Sequence, residues 1–263
     1  MRKNRDLQLL GTRFHFSMTI KISERDHLLA KWVAIIKSYS VGCTDTKNSQ
    51  NFFEGKEHLY RSYLGMLGEV GFARYSGLKM NIDTIGVGDD GTDFDYGIQV
   101  KCSDSKNKPN LMFPVTQYKR KHAEYYILTW YKNQMLEFVG YTTRGYIDNN
   151  HKIKNYGYGD TVFVSHKELK SIQSLEILET MPRKQQYKQP TVNTQDEHYK
   201  AFKWCDENNI RIYPKPRDGQ FILVYTVDGV AHTTNKLHDP KNYQQAIWDF
   251  YLFLYNKLNN DPN

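Results

Sequence analysis

The sequence predicts an α/β protein of the α+β kind, with a large first domain and a small second one. Apolar residues recur at helical spacing in several segments, and short runs rich in Val, Ile, Tyr and Phe lie between turn-forming residues. The segment at residues 181–195 contains two prolines, four glutamines and no apolar period, which is typical of a linker. We therefore expect a first domain at residues 1–180 and a second at residues 196–263.

The composition and charge narrow the class of protein. Of the 263 residues, 39% are apolar and 14% aromatic, which is enough for a packed core. The formal net charge of +7 suits a nucleic-acid partner, because phosphates attract basic proteins. No apolar run approaches the ~20 residues that span a membrane, and no Gly-x-x-x-x-Gly-Lys-Ser/Thr loop occurs, so we expect neither a membrane nor a nucleotide cofactor. Three widely spaced cysteines favour a reduced, cytoplasmic protein without a zinc site.

Two helices are predicted near the start of the chain. Ser23 is a suitable N-cap for a helix at residues 24–39, where acidic residues come first and apolar residues follow at helical spacing. A second helix, at residues 54–75, contains Gly65, Gly68 and Gly71. Each glycine costs roughly 1 kcal/mol inside a helix, so we expect this helix to pack very close to a sheet.

The rest of the first domain is predicted to consist of strands joined by turns and short helices. The strands are residues 81–86, 92–94, 97–103, 125–130, 135–141 and 161–164. The helices are residues 117–122, which are basic, residues 142–147, which could also be a loop, and residues 165–175, which Ser165 would cap. Turns are expected at residues 87–91, 96–97 and 132–134.

The second domain is predicted to be a helix, three strands and a helix. The helices are residues 196–208 and 242–257, and the strands are residues 210–213, 221–226 and 230–234. Asp228-Gly229 is a typical hairpin turn. Residues 214–217, which alternate proline and basic side chains, are expected in a loop that either meets the DNA backbone or is simply solvated. We expect this domain to serve substrate choice, DNA grip or dimerisation.

The strongest candidate site is the stretch from Asp93 to Lys101. In a strand, Gln99 and Lys101 point to the same face because side chains alternate. A carboxylate, an amide oxygen and an ammonium group would then meet at one place, where they could hold a divalent metal and stabilise charge on a phosphate. Asp95 shares a face with Asp93 if the strand continues and could replace it, whereas Asp89 and Asp90 belong to a common turn sequence and are expected in solvent.

A Glu on the preceding helix completes a recognisable pattern. Glu69, in Gly68-Glu69-Val70, is either a functional carboxylate or an exposed one between two packed faces. Together with Asp93 and Gln99-Val100-Lys101, it resembles the PD-(D/E)XK nuclease superfamily over roughly residues 20 to 175. The resemblance implies a restriction-endonuclease-like mixed central sheet flanked by helices, in the order α-β-β-β-α-β.

The resemblance also implies an activity and residue roles. The chain would be a Mg²⁺-dependent endonuclease that hydrolyses DNA phosphodiester bonds, with Mn²⁺ as a possible substitute. Glu69, Asp93 and Gln99 would bind the metal ion, which polarises the phosphodiester and lowers the pKa of its water. Lys101 would orient that water or stabilise the charge on the phosphate. The nearby basic side chains that could clamp the DNA backbone are Lys119, Arg120 and Lys121.

One departure from the family pattern keeps other functions open. Gln99 stands where the family usually has an acid, and an amide oxygen brings no charge to a metal ion. The alternatives are a catalytically inactive DNA-binding protein on a nuclease fold, and a protein-interaction factor whose basic charge is incidental. For a nuclease, we expect a restriction-like, phage or mobile-element enzyme in the cytoplasm of a bacterial or phage-infected cell, and a homodimer if both strands are cut symmetrically.

Overall fold

The computed structural model of the protein describes residues 18–41, 56–82, 92–120, 123–155, 157, 159–180 and 196–259. The predicted linker at 181–195 and the turn at 87–91, with Asp89 and Asp90, lie outside these residues. Within them the fold is mixed α/β, with helices packed against several sheets. None of the helices in the described ranges is long and apolar enough to cross a membrane.

The elements follow the chain in this order. The helices are α1 (Glu24–Val41), α2 (Lys56–Ser76), α3 (Val115–Arg120), α4 (Arg144–Asn150), α5 (Ile177–Thr180), α6 (Asp196–Glu207) and α7 (Tyr243–Asn259). The strands are β1 (Met18–Lys21), β2 (Ile98–Ser103), β3 (Leu111–Pro114), β4 (Tyr125–Lys132), β5 (Met135–Thr143), β6 (Lys152–Asn155), β7 (Asp160–Val164), β8 (Arg211–Arg217), β9 (Gln220–Val227) and β10 (Val230–Thr233).

The central sheet is mixed and has the strand order β1-β5-β4-β2. Strand β2 runs parallel to β4, whereas β4 pairs with β5 and β5 with β1 in antiparallel fashion. The predicted turn between β4 and β5 is confirmed. Asn133 and Gln134 at its centre have φ angles of 52° and 61°, the left-handed pair that a two-residue hairpin turn requires.

Helix α2 packs directly on this sheet through two of its glycines. A Cβ on Gly68 would lie 2.7 Å from Cys102 Cβ on β2, and one on Gly71 would lie 2.1 Å from Leu136 Cδ2 on β5. Both distances are too short for real atoms, so the predicted close approach of helix and sheet is confirmed at these two positions. A Cβ on Gly65 would meet nothing within 4 Å, so this third glycine is not required for packing on the sheet.

Helix α1 begins where the sequence predicts, because its cap is formed locally. The Asp26 backbone N–H donates to Ser23 Oγ at 3.2 Å, and the Ser23 N–H donates to Asp26 Oδ2 at 2.8 Å. Arg74 of α2 also forms an ion pair with Asp26 at 2.5 Å. The cap of α1 is therefore tied to the end of α2, which fixes how these two helices pack.

A second sheet, β3-β7-β6, contains two strands that the sequence did not predict, β3 and β6. The predicted helix at residues 165–175 is wrong. The chain there forms two short 3-10 turns, His166–Glu168 and Ile172–Ser174, before α5. Ser165 does cap the first turn, in a reciprocal arrangement with Glu168. The Lys170 N–H and C=O groups pair with Tyr141 on β5, which binds the segment as an extended bridge and interrupts a continuous helix.

Residues 196–259 fold as predicted in outline: α6, three strands in the order β10-β9-β8, and α7. The turn at Asp228-Gly229 is confirmed, with φ angles of 51° and 78°. The loop predicted at residues 214–217 is wrong, because these residues continue β8 and pair with β9. Prolines are tolerated there because β8 is an edge strand.

This second unit packs against α1 of the first. The rings of Trp32 on α1 and Trp248 on α7 stack at 4.9 Å, and each side chain is about 1% exposed. Tyr243 donates a hydrogen bond of 2.7 Å to the carbonyl oxygen of Ile82. One core cluster contains buried residues of both units, whereas a second, smaller cluster lies within the first unit around β3 and β7. Helix α1 thus contacts both α2 of the first unit and the second unit.

Candidate functional site

Asp93 is fixed at the start of β2 by a tight turn. The Asp93 and Phe94 N–H groups both donate to the Ile98 carbonyl oxygen, at 2.9 and 3.2 Å. Tyr96 and Gly97 close the turn with φ angles of 66° and 68°. This turn directs the Asp93 carboxylate back along β2, where its Oδ2 accepts a hydrogen bond of 2.7 Å from the Val100 N–H. The side chain is therefore buried and held in a single place.

The alternation of β2 separates its packing residues from its polar ones. Val100 and Cys102 contact the α2 glycine surface at Gly68. Gln99 and Lys101 point to the other face by strand geometry, and Gln99 is only 1% exposed. Lys101 Nζ lies 3.5 Å from Gln117 Oε1 on α3, which positions its ammonium group. The sequence reasoning placed Gln117 in a helix but assigned it no role.

Glu69 of α2 is buried, so its interpretation as an exposed carboxylate between packed faces is wrong. It is 5% exposed and directly follows Gly68, the glycine in closest contact with β2. Its Oε2 lies 3.5 Å from Nζ of Lys37 on α1, in an ion pair. Because Gly68 brings the helix against the sheet, it also brings this carboxylate to the edge of β2.

The four predicted site residues line one cleft of about 800 Å³, which is bordered by residues of α1, α2, β2 and α3. Its lining residues are Lys37, Tyr60, Arg61, Ser62, Leu64, Gly65, Met66, Glu69, Asp93, Gln99, Val100, Lys101, Cys102, Ser103, Asp104 and Gln117. The tertiary structure thus brings the Glu69 carboxylate together with the carboxylate, amide and ammonium groups of the stretch from Asp93 to Lys101.

Other predicted residues lie elsewhere. Asp95 is exposed in the turn and is absent from the cleft lining, because the strand does not continue past Phe94. Lys119 is exposed on α3 and also outside the lining. The side chain of Arg120 and all of Lys121 lie outside the described residues, so the predicted DNA clamp is placed only in part.

Two basic side chains that the sequence analysis did not single out line the cleft, namely Lys37 and Arg61. A signal for Arg61 exists in the sequence. Arg61, Gly65 and Glu69 recur every four residues and therefore lie along one side of α2. Lys37 carries no such signal, because it comes from a different helix and reaches the site only through the packing of α1 on α2.

The donor atoms of the cleft suit a hard divalent cation. Carboxylate and amide oxygens are the ligands that Mg²⁺ and Mn²⁺ prefer, and Glu69, Asp93 and Gln99 provide them. Across the described ranges, no three His, Cys, Asp or Glu side chains come together as a metal-binding group. Among the predicted metal ligands, Glu69 and Asp93 are carboxylates and Gln99 is neutral.

Cys102 lines the same cleft but is not suited to nucleophilic chemistry. Burial raises the pKa of its thiol to about 12, so the reactive thiolate is scarce at neutral pH. Its Cβ is the atom that a side chain on Gly68 would meet first. Cys102 therefore acts in packing, as a small residue that permits the close approach of α2.

Comparison with known proteins gives no match, so the interpretation of the cleft depends on its geometry. No family model matches the chain, and neither the curated proteins nor the solved structures give a significant match.

Proposed function

We propose that the protein is a Mg²⁺-dependent endonuclease of the PD-(D/E)XK kind that hydrolyses phosphodiester bonds in DNA, with Mn²⁺ as an alternative ion. The observation that carries the proposal is the convergence of Glu69, Asp93, Gln99 and Lys101 on one cleft. A chance match to a short motif gives no reason for a distant Glu to be buried beside it. The close packing at Gly68 supports the same interpretation, because it places Glu69 there.

The order of elements around the cleft agrees with a restriction-endonuclease-like core. Helix α2 precedes isolated bridges that join Met80 to Phe94 and Phe94 to Ile98, and then β2, α3 and β4 follow. Parallel pairing of β2 with β4 next to an antiparallel β4–β5 pair gives the mixed sheet that this family implies. The inserted strand β3 is an addition to that pattern.

The residues of the chain have distinct roles in this proposal. Glu69, Asp93 and Gln99 hold the metal ion, which supplies charge stabilisation and an activated water when bound. The Val100 N–H holds one oxygen of the Asp93 carboxylate in place where Asp93 lines the cleft. Lys101, positioned by Gln117, stabilises the negative charge that develops on the phosphate. Arg61 provides a further cation for the DNA backbone.

A binding-only protein is the second candidate, and Gln99 is the observation that favours it. This side chain is 1% exposed and neutral, so the site has one carboxylate fewer than the family pattern. A metal ion is therefore held less strongly in the absence of substrate. The retained Asp93 and Lys101 favour the nuclease, because a protein that only binds DNA needs neither a buried carboxylate nor a positioned ammonium group in its cleft.

The test is cleavage of a supercoiled plasmid and of a matched single strand with Mg²⁺, Mn²⁺ or EDTA. Asp93→Ala and Lys101→Ala are each expected to lower the cleavage rate by about a hundredfold or more, since each removes a group that stabilises charge in the transition state. The matched control is Asp95→Ala, which removes an exposed carboxylate from the same turn and should cleave like wild type.

Two results would contradict the proposal, the first for the site and the second for the activity. Undiminished cutting by Asp93→Ala and Lys101→Ala would assign the activity to another site or to a contaminant. Metal-independent binding of every DNA tried, modified phage DNA included, without cleavage would favour the binding-only protein.

A further inference from the structure

The ion pair between Lys37 and Glu69 is a second feature of the cleft that the nuclease roles above do not use. Lys37 Nζ lies 3.5 Å from Glu69 Oε2, and both residues line the cleft. The Glu69 side chain is 6% exposed, whereas that of Lys37 is 27% exposed. A carboxylate this deeply buried is costly unless it is paired, and Lys37 supplies the opposite charge.

The charges that line the cleft balance without any added ion. The lining contains three carboxylates, from Glu69, Asp93 and Asp104, and three cationic side chains, from Lys37, Arg61 and Lys101. Gln99 would have contributed a fourth negative charge as an acid. A divalent cation therefore enters a cleft that is already neutral, and it has to compete with an ammonium group for the Glu69 carboxylate.

The two partners differ in how readily they can move. Glu69 directly follows Gly68, which packs against β2, and its side chain is almost fully enclosed. Lys37 is a point charge on a flexible four-carbon stem and is partly open to solvent. When a second cation approaches Glu69, Lys37 is the partner that can leave.

We propose that Lys37 is an internal counter-ion that holds Glu69 until a metal ion binds and then turns to a phosphate of the DNA. This inference rests on the proposed function and deepens it. Metal and DNA then bind cooperatively. The metal ion frees the Lys37 ammonium group to contact a phosphate. The phosphate in turn stabilises the state in which Glu69 is available to the ion. Lys37 thereby restricts metal loading, and so cleavage, to the DNA-bound state.

The first test is calorimetric titration of the free protein with Mn²⁺. Lys37→Gln is expected to bind Mn²⁺ about tenfold more tightly than wild type, because the competing charge is gone. Lys37→Arg keeps the charge and should stay near wild type. The matched control is Lys31→Gln, which removes a lysine of the same helix that pairs with Asp206 away from the cleft. It should leave the affinity unchanged.

A thermal readout separates this role from a merely structural one. Without metal, Lys37→Gln should melt at a lower temperature than wild type, because a buried carboxylate loses its partner. Saturating Mn²⁺ should raise its Tm by more than it raises that of wild type. If Lys37 only packed α1 on α2, Lys37→Gln would have a lower Tm than wild type by the same amount with and without Mn²⁺.

A measurement on wild type keeps the inference testable if Lys37→Gln does not fold. The amines are labelled with an acylating reagent and the extent at Lys37 is quantified by mass spectrometry. Saturating Mg²⁺ should increase labelling of Lys37, because it releases the ammonium group from Glu69, and should leave labelling of Lys31 unchanged. Equal labelling of Lys37 with and without Mg²⁺ would overturn the inference.

The outcomes distinguish this inference from the proposed function. Equal or weaker Mn²⁺ binding by Lys37→Gln, in a wild-type background that binds Mn²⁺ and cuts DNA, overturns the counter-ion role and leaves the nuclease intact. Failure of wild type and all variants to bind Mn²⁺, together with no cleavage, overturns the nuclease and the counter-ion role with it.

Discussion

Gly68 connects the stability of this protein with the geometry of its candidate site. A Cβ at this position would lie 2.7 Å from Cys102 Cβ, 2.9 Å from Thr129 Oγ1 and 3.4 Å from Val100 Cγ1. Ordinary contact begins at 3.4 Å, so Gly68→Ala requires helix and sheet to separate by about 0.7 Å. The closest atom is a Cβ, which moves only with its backbone, so a rotamer change cannot relieve the contact.

The expected cost follows from two opposing effects. Alanine is favoured over glycine inside a helix by about 1 kcal/mol, whereas overpacking a tight contact costs typically 1–3 kcal/mol. We expect Gly68→Ala to lose about 1 kcal/mol in the free energy of unfolding. Gly65→Ala on the same helix meets nothing within 4 Å and should gain up to about 1 kcal/mol. The two variants should therefore differ by about 2 kcal/mol.

The assay is denaturant unfolding of wild type, Gly65→Ala and Gly68→Ala, followed by cleavage of plasmid DNA with Mg²⁺. Because Glu69 is the next residue along α2, separation of helix and sheet also moves its carboxylate away from Asp93. Under the proposed function, we expect the cleavage rate of folded Gly68→Ala to fall about tenfold or more. Equal stabilisation by both substitutions, with full activity of Gly68→Ala, would refute the tight contact and its link to the site.

Two further predictions concern the core and the pH dependence of stability. Trp248→Ala removes a ring stacked on Trp32 and should lower the free energy of unfolding by about 3–5 kcal/mol. Unfolding should remain one cooperative transition, because both units share a core cluster. Separate unfolding of the second unit would contradict this. Burial lowers the pKa of His27 below its usual 6.5, so the unfolded chain binds more protons than the folded protein once the pH falls below that value. Stability should therefore decrease as the pH falls through 6.5, and the slope should become shallower in His27→Gln; a slope equal to that of wild type would contradict the role of His27.

The sequence alone was sufficient wherever the signal is local. The start of α1 follows from Ser23 and Asp26, which cap it through their own backbone groups. The turn at Asp228-Gly229 follows from residues that adopt positive φ angles at low cost. Elements that depend on distant partners were missed. Residues 214–217 look like a loop because of their prolines, yet pairing with β9 makes them an edge strand. The segment at residues 165–175 has the composition of a helix, yet the bridge at Tyr141 holds it extended.

The candidate site shows the same distinction between local signals, which the sequence reveals, and distant contacts, which it does not. Gln99 and Lys101 were identifiable because strand alternation is a local property, Asp93 because of its spacing before them, and Glu69 because its glycine neighbours anticipate close packing. Their meeting in one cleft, the burial of Glu69 and the pairing of Glu69 with Lys37 were decided only by the tertiary structure. The reason is that the apolar faces of α1, α2 and β2 bring these elements together. No short-range pattern in the sequence indicates which charged side chain of one element will face a carboxylate of another.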